Sequence, residues 1–244
     1  MRLHTGLVRA LTPAVVLLAA ASGCAPDPAG REYYAALRGE ESGMTREQQI
    51  AHVDRALALA PRRAGYYETR ATYRLDLRQW VAARADLDAS IRLADRPYAR
   101  FLRGLAACER GLFDKAVAAF DTAIAREPKN AQFYRGRSLA KATKGDPGGA
   151  LADADRLLQL APQQGESHYA RGVALLALGR DREAVPEFDT ALKLRPELAY
   201  VLEARADAHE RLGEQPLADA DRAAFAAATE RQRNCAPCRD PYRY

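Results

Sequence analysis

Aromatic residues are scarce in this chain, and no class of charged residue dominates it. Of the 244 residues, 7% are aromatic, one is Trp and four are Cys. Much of the apolar share is Ala, which predicts helices packed closely over small side chains and disfavours an all-β sandwich. With 16 Gly, 13 Pro and 28% charged residues, collagen-like and strongly disordered chains are excluded. The net charge of +5 is too small to indicate nucleic-acid binding, so we expect no nucleic-acid partner.

The first thirty residues carry a targeting pattern rather than a fold. Two arginines precede an apolar run from Thr12 to Ala21, which is shorter than the roughly 20 apolar residues that span a bilayer. This pattern predicts an export signal over residues 1–23. The run ends in Ala-Ser-Gly followed by Cys24, which resembles the bacterial lipobox and implies cleavage before Cys24 and its acylation. The alternative is an ordinary cleavage site with an incidental Cys.

Residues 24–30 are predicted to form the acylated Cys and a short linker. Six residues reach on the order of 20 Å, so the following structure would lie close to the lipid surface. By resemblance to proteobacterial lipoproteins, Ala25 after the Cys favours sorting to the outer membrane. We therefore expect a lipid-anchored protein of the bacterial cell envelope, on the periplasmic face of the outer membrane.

A repeat of about 34 residues organises the rest of the chain. Four sets of residues recur at this period, and we call each set a column. Two columns hold small residues, one holds turn residues and one holds Pro or Asp. The four columns are Ala71, Gly104, Ser138, Gly172 and Ala206; Ala83, Ala116, Ala150, Ala184 and Ala218; Arg78, Gly111, Gly145, Gly179 and Gly213; and Pro61, Asp95, Pro128, Pro162 and Pro196. Residues within each unit step by four and three, as in Ala184, Phe188 and Ala191, and this helical spacing predicts helix, turn, helix in each unit.

This pattern resembles the tetratricopeptide repeat, and the segment from Arg171 to Pro196 matches it nearly column for column. The resemblance implies an all-α, right-handed α-solenoid of about six units. A divergent N-terminal unit covers residues 31–63, with Gln49 in place of the second small residue. Five units cover residues 64–233 and end in a C-terminal capping helix, and residues 234–244 form a tail. The register of the last helix is open, because one segment repeats at 66 rather than 68 residues.

Two charged columns run through the repeats. One contains Arg70, Arg103, Arg137, Arg171 and Arg205, and the other contains Asp88, Asp121, Asp155 and Asp189. We expect a ladder of Arg–Asp pairs that ties neighbouring helices together, because Arg can bury its stem and pair through two nitrogens. The alternative is a basic groove for an acidic ligand.

In the tetratricopeptide family the first helix of each unit lines a concave groove. Carrying those positions over gives a candidate partner-binding stripe of Tyr98, Phe101, Leu105, Leu139, Tyr169, Val173 and Leu176. Such a stripe suits an apolar helix or an extended segment of a partner. The alternative is that Phe101, Leu105 and Val173 pack against the next helix and expose little.

Cys235 and Cys238 have the Cys-x-x-Cys spacing of dithiol redox sites, but they follow a helix and no strand precedes them. We expect a disulfide loop in an oxidising envelope; a redox partner or an intermolecular bridge is the alternative. A zinc site would need more ligands than these two Cys provide, so no metal is predicted.

No enzyme signature is present: there is no Gly-rich phosphate loop, zinc-protease motif or nucleophile elbow. We expect a non-enzymatic protein without cofactor or small-molecule substrate, and His168 and Cys108 as packing residues. By resemblance, lipoproteins of this architecture assist assembly of outer-membrane complexes, such as pilotins acting on secretins or factors delivering β-barrel proteins. The alternatives are an envelope thiol-disulfide accessory using Cys235 and Cys238, and an adaptor that recruits cell-wall enzymes.

Overall fold

The structure, a computed structural model, describes residues 27–234. Across these residues the chain forms twelve α-helices and no strand, which confirms the all-helical prediction. The helices are α1 (Pro28–Leu37), α2 (Arg46–Leu59), α3 (Ala64–Asp76), α4 (Trp80–Leu93), α5 (Pro97–Glu109), α6 (Phe113–Arg126), α7 (Ala131–Lys144), α8 (Pro147–Leu160), α9 (Gly165–Ala177), α10 (Asp181–Leu194), α11 (Ala199–Arg211) and α12 (Gln215–Asn234).

The helices form six hairpins that stack into a solenoid with two layers. Each odd-numbered helix packs on the even-numbered helix that follows it. From α3 to α11 the odd-numbered helices also contact one another in succession, and the main contacts include no pair of even-numbered helices. We call the odd-numbered helices the inner layer and the even-numbered ones the outer layer. Because the inner helices lie closer together, the stack curves toward the inner layer.

The predicted turn column lies where the backbone adopts left-handed conformations. Gly111, Gly145, Gly179 and Gly213 have φ between +70° and +96°. Arg78 occupies the same place with a φ of +56°, and it is the single described non-Gly residue with positive φ. A side chain in this region costs roughly 1–2 kcal/mol, so the α3–α4 turn is strained where the other turns are not.

The small-residue columns allow the two helices of a hairpin to approach closely. A Cβ atom at Gly104 would lie 2.5 Å from the ring of Phe120, and one at Gly172 would lie 2.5 Å from Phe188. Both rings are fully buried. The repeating small residue therefore makes room for a large one on the facing outer helix, as the spacing predicts.

The first hairpin differs from the sequence-based description in two ways. Helix α1 begins at Pro28, so Pro28 to Gly30 are helical rather than linker. The physical reason is an N-cap: the Asp27 carboxylate accepts a hydrogen bond from the Gly30 amide at 2.6 Å. In α2 the buried Gln49 amide donates to the carbonyl of Ala36 at 3.0 Å, which satisfies a polar side chain at a position where other units carry a small residue.

The predicted Arg–Asp ladder is present in the structure. Each column arginine lies on an inner helix and reaches an Asp on the preceding outer helix. The nitrogen–oxygen distances are 2.5 Å for Arg70–Asp54, 3.7 Å for Arg103–Asp88, 2.6 Å for Arg137–Asp121, 2.8 Å for Arg171–Asp155 and 2.6 Å for Arg205–Asp189.

A second column of carboxylates completes the ladder, and sequence analysis missed it. It stands sixteen residues after the arginine, on the following outer helix, and contains Asp86, Asp153, Glu187 and Asp221. These carboxylates are far more buried than the first column: the side chain of Asp153 is 6% exposed and that of Asp121 is 54%. Their recurrence at a fixed offset from the arginines is the sequence signal that identifies them. Asp221 also fixes the register of α12 at 68 residues from Asp153.

Candidate functional site

The predicted partner-binding stripe divides into buried and accessible residues. Five of its members are core residues and are corrected as such: Phe101, Leu105, Leu139, Val173 and Leu176 are each at most 3% exposed. For Phe101, Leu105 and Val173 this burial matches the alternative that they pack against the next helix and expose little. Tyr98 and Tyr169 remain half-buried.

Phe101 shows the physical reason for this burial. Its ring centroid lies 5.1 Å from that of Phe133 on the next inner helix and 5.6 Å from that of Phe120 on the outer layer. A Cβ atom at Gly136 would lie 3.2 Å from the Phe101 ring, so α7 packs directly against it. Contact between successive inner helices therefore covers positions that the repeat pattern alone assigns to an open groove.

The accessible surface of the inner layer is built from half-buried polar and aromatic side chains. We call this surface the inner face. It consists of Thr72, Tyr98, Arg135, Tyr169, Tyr200, Glu203 and Asp207, which lie on helices α3, α5, α7, α9 and α11. Of the seven predicted stripe residues, the structure brings Tyr98 and Tyr169 to this face and adds Tyr200.

The N-terminal half of the inner face centres on Tyr98. Its hydroxyl lies beside Thr72 and Glu68 of α3, and burial raises its pKa to about 12. Glu68 accepts a hydrogen bond from the Ser90 hydroxyl at 2.8 Å, and burial raises the pKa of its carboxyl. Tyr98 is therefore a neutral hydrogen-bond donor throughout the physiological pH range.

The C-terminal half of the inner face carries two packed tyrosines. The rings of Tyr169 and Tyr200 lie 4.7 Å apart in an edge-to-face arrangement. Burial raises the pKa of Tyr169, and it raises the pKa of Tyr200 to about 12. Arg135 lies near Tyr200, and Glu203 and Asp207 lie near Tyr169. The pair offers a fixed aromatic surface with charges of both signs around it.

His168 and Cys108, which the sequence predicts to be packing residues, both lie in partly buried surroundings. His168 lies 2.8 Å from Glu187 and 3.2 Å from the carbonyl of Pro162. Tyr134 makes the equivalent contact to the carbonyl of Pro128 at 3.1 Å, so these two residues anchor the loops before α9 and α7. Burial raises the pKa of the Cys108 thiol to about 12, which favours the thiol over the thiolate.

Several predicted features lie outside the described residues 27–234. They are the export signal, Cys24, Cys235 and Cys238. Among the described residues, no helix is both long and apolar enough to cross a membrane. The same part of the chain contains no group of three or more His, Cys, Asp or Glu residues placed to hold a metal ion.

Comparison with known proteins agrees with the repeat architecture. Tetratricopeptide repeat family models match residues 102–165 and 165–198. None of the curated proteins matches the sequence.

Solved structures share the same fold at low sequence identity. The crystal structure of PilW, a widely conserved type IV pilus biogenesis factor, has a TM-score of 0.73 and 19% identity, covering 88% of this chain and 98% of PilW. A thermophilic tetratricopeptide repeat protein from Thermus thermophilus gives 0.62 and 19%, covering 75% and 98%. MamA gives 0.56 and 18%, covering 70% and 94%.

At these identities the likeness establishes the fold and not a shared activity. The family matches cover three consecutive hairpins from α5 to α10, and the flanking hairpins continue the same packing and the same ladder. Residues 102–198 thus match tetratricopeptide repeats, and residues 27–234 form an all-helical solenoid with the fold of the solved tetratricopeptide repeat structures.

Proposed function

We propose that this protein is a lipid-anchored scaffold of the bacterial envelope whose inner face binds a segment of a partner protein. Tetratricopeptide repeats are interaction scaffolds, and this supports protein binding as the general activity. The observation that carries the proposal is the set of half-buried tyrosines, Tyr98, Tyr169 and Tyr200, on the inner helices α5, α9 and α11. Tyrosine is enriched at binding hot spots because it combines a large apolar ring with a hydrogen-bond donor.

The chemistry of the inner face indicates which kind of partner segment it can bind. With Phe101, Leu105 and Val173 in the core, the accessible surface is aromatic and polar rather than a continuous apolar stripe. The tyrosine rings accept apolar side chains of the partner, and their hydroxyls donate to its carbonyl or side-chain oxygens. An amphipathic helix or an extended segment with apolar anchors beside polar groups meets both requirements.

The envelope location is proposed from the N-terminal sequence. Cleavage and acylation at Cys24 would anchor the chain, and α1 begins at Pro28, so the solenoid would start within a few residues of the lipid. Assistance to an outer-membrane complex, such as a pilus secretin or a β-barrel protein, is consistent with the likeness to PilW, a pilus biogenesis factor.

Site-specific photo-crosslinking in cells tests the inner face. A photoreactive phenylalanine analogue replaces Tyr98 or Tyr200 in turn, and the matched controls carry it at Leu217 and Leu59. These controls lie on outer helices and are 52% and 58% exposed. The proposal predicts the same crosslinked partner from both tyrosine positions and not from the controls. Equal capture at all four positions would contradict it.

The anchor is tested separately by the substitution Cys24→Ala. Membrane fractionation and metabolic labelling with palmitate compare this variant with the wild-type chain. The proposal predicts that the variant loses the label and leaves the membrane fraction. A variant that remains with the membrane and keeps the label would show that Cys24 is not the acylated residue.

A further inference from the structure

The ladder is interrupted at one of its five arginines. Arg70, Arg137, Arg171 and Arg205 each have a carboxylate sixteen residues later on the following outer helix. The residue sixteen positions after Arg103 is Ala119, and its side chain cannot form an ion pair. Arg103 keeps the weakest contact of the first column, 3.7 Å to Asp88.

The hairpin of α5 and α6 also lacks a second basic residue that its neighbours have. On α3 and α7, Arg74 and Lys141 reach the buried carboxylates Asp86 and Asp153 at 2.7 Å and 2.9 Å. The equivalent residue of α5 is Ala107. Two alanines therefore stand where the neighbouring hairpins carry an acid and a base, and they leave space between α4 and α6.

This space is a cavity of about 490 Å³, with α4 and α6 as its walls and α5 as its floor. Its apolar lining includes Trp80, Ala107 and Ala119, and Asp88 is its one acidic residue. Its basic lining residues are Arg84, Arg103, Arg110 and Lys115.

The charge in this cavity is unbalanced, unlike the charge along the rest of the ladder. The side chain of Arg103 is 43% exposed, whereas those of Arg70 and Arg137 are 17% exposed in their complete ion-pair sites. Four cationic side chains face one carboxylate, and that carboxylate is itself 39% exposed. A partly enclosed cationic site beside apolar walls favours a carboxylate over water.

We propose that this cavity binds an acidic side chain of a partner protein, whose carboxylate takes the place of the missing ladder acid. A Glu or Asp carboxylate between α4 and α6 accepts hydrogen bonds from the Arg103 guanidinium, as Asp153 does from Arg137. The indole of Trp80 and the alanines then contact the apolar side chains that flank it. The site lies on the outer layer and is separate from the inner face, so each can be tested without the other.

Trp80 provides a direct readout, because it is the single Trp of the chain and it lines the cavity. Trp fluorescence of the full chain in detergent is titrated with the blocked peptide Gly-Leu-Glu-Leu-Gly, with its Gln counterpart, and with free glutarate. We expect saturable binding of the Glu peptide that is at least about tenfold tighter than that of the Gln peptide, since bonds to a charged group carry roughly that difference. The Glu peptide should also bind about tenfold more tightly than glutarate, because glutarate lacks the leucines that contact Trp80 and the alanines.

Two variants identify the atoms responsible. Ala119→Asp supplies the missing acid within the chain, so it should weaken Glu-peptide binding about tenfold or more while the urea midpoint stays constant or rises. Arg103→Gln should also weaken binding, whereas the exposed control Lys129→Gln should not. Equal binding of the Glu and Gln peptides, unchanged binding by Ala119→Asp, or no saturable binding in the wild-type chain would overturn the proposal. Glutarate binding as tight as that of the Glu peptide would overturn a protein segment as the occupant.

Discussion

Phe101 provides the sharpest test of how the inner layer is built. Its ring is fully buried against Phe120 and Phe133, and the backbone at Gly136 closes one side of its site. Replacing a buried Phe by Ala costs roughly 3–5 kcal/mol, the higher values applying where the surroundings cannot collapse. Two rings and a helix backbone have little freedom to move into the space. We therefore expect Phe101→Ala to lower the free energy of unfolding by about 4 kcal/mol.

Urea unfolding followed by far-ultraviolet circular dichroism measures this loss. The matched control is Val81→Ala, because Val81 is 80% exposed and its truncation should change stability by no more than about 0.5 kcal/mol. If Phe101→Ala shifts the unfolding midpoint no more than Val81→Ala does, Phe101 is not a core residue. The division between core and inner face would then be wrong.

Three further predictions concern the ladder, a buried acid and a turn. Asp153→Ala removes the buried partner of Arg137 and should lower the free energy of unfolding in urea by about 3 kcal/mol. Asp121 is exposed, so Asp121→Ala should lower it by less than about 1 kcal/mol. Equal costs would refute the distinction between the two columns of carboxylates. Burial raises the pKa of Glu68 above 4.5, so this carboxyl ionises at a lower pH in the unfolded chain than in the folded one. The stability of the wild-type protein should therefore fall relative to that of Glu68→Gln as the pH rises from about 4 to about 7. A parallel pH dependence of the two proteins would contradict this. Arg78→Gly should raise the melting temperature by relieving a positive φ worth about 1 kcal/mol, and a lower melting temperature would show that the turn is not strained.

Much of the fold could be predicted from periodicity because the repeat places the same constraint in each unit. The turn positions have a left-handed backbone, which favours Gly, and the close approach of the two helices favours small residues. Both requirements are therefore visible in the sequence as a recurring residue type. Asp146 shows how local these signals are: it caps α8 through the Gly149 amide at 2.9 Å, ahead of a Pro at the first helical position. The same Asp-Pro signal starts α1 at Pro28, inside the predicted linker.

Exposure on the inner helices could not be predicted in the same way. Phe101 and Tyr169 occupy equivalent positions in their repeats, yet Phe101 is fully buried and Tyr169 is half-buried. The difference depends on the neighbour: α7 presents Phe133 and Gly136 to Phe101, whereas α11 presents Tyr200 to Tyr169 in an edge-to-face arrangement. A single repeat does not contain that information, because burial is decided by the side chains of the next unit.

The central claim is that tyrosines of the inner face bind a partner segment while the core beneath them supports the fold. The most direct test measures two quantities, affinity for the crosslinked partner and the urea midpoint, for Tyr200→Ala and for the conservative core variant Phe101→Leu. The account predicts that Tyr200→Ala weakens binding by the folded protein at least about tenfold, and that Phe101→Leu lowers the midpoint with little change in binding by the folded protein. Loss of binding by Phe101→Leu, with full binding retained by Tyr200→Ala, would contradict it.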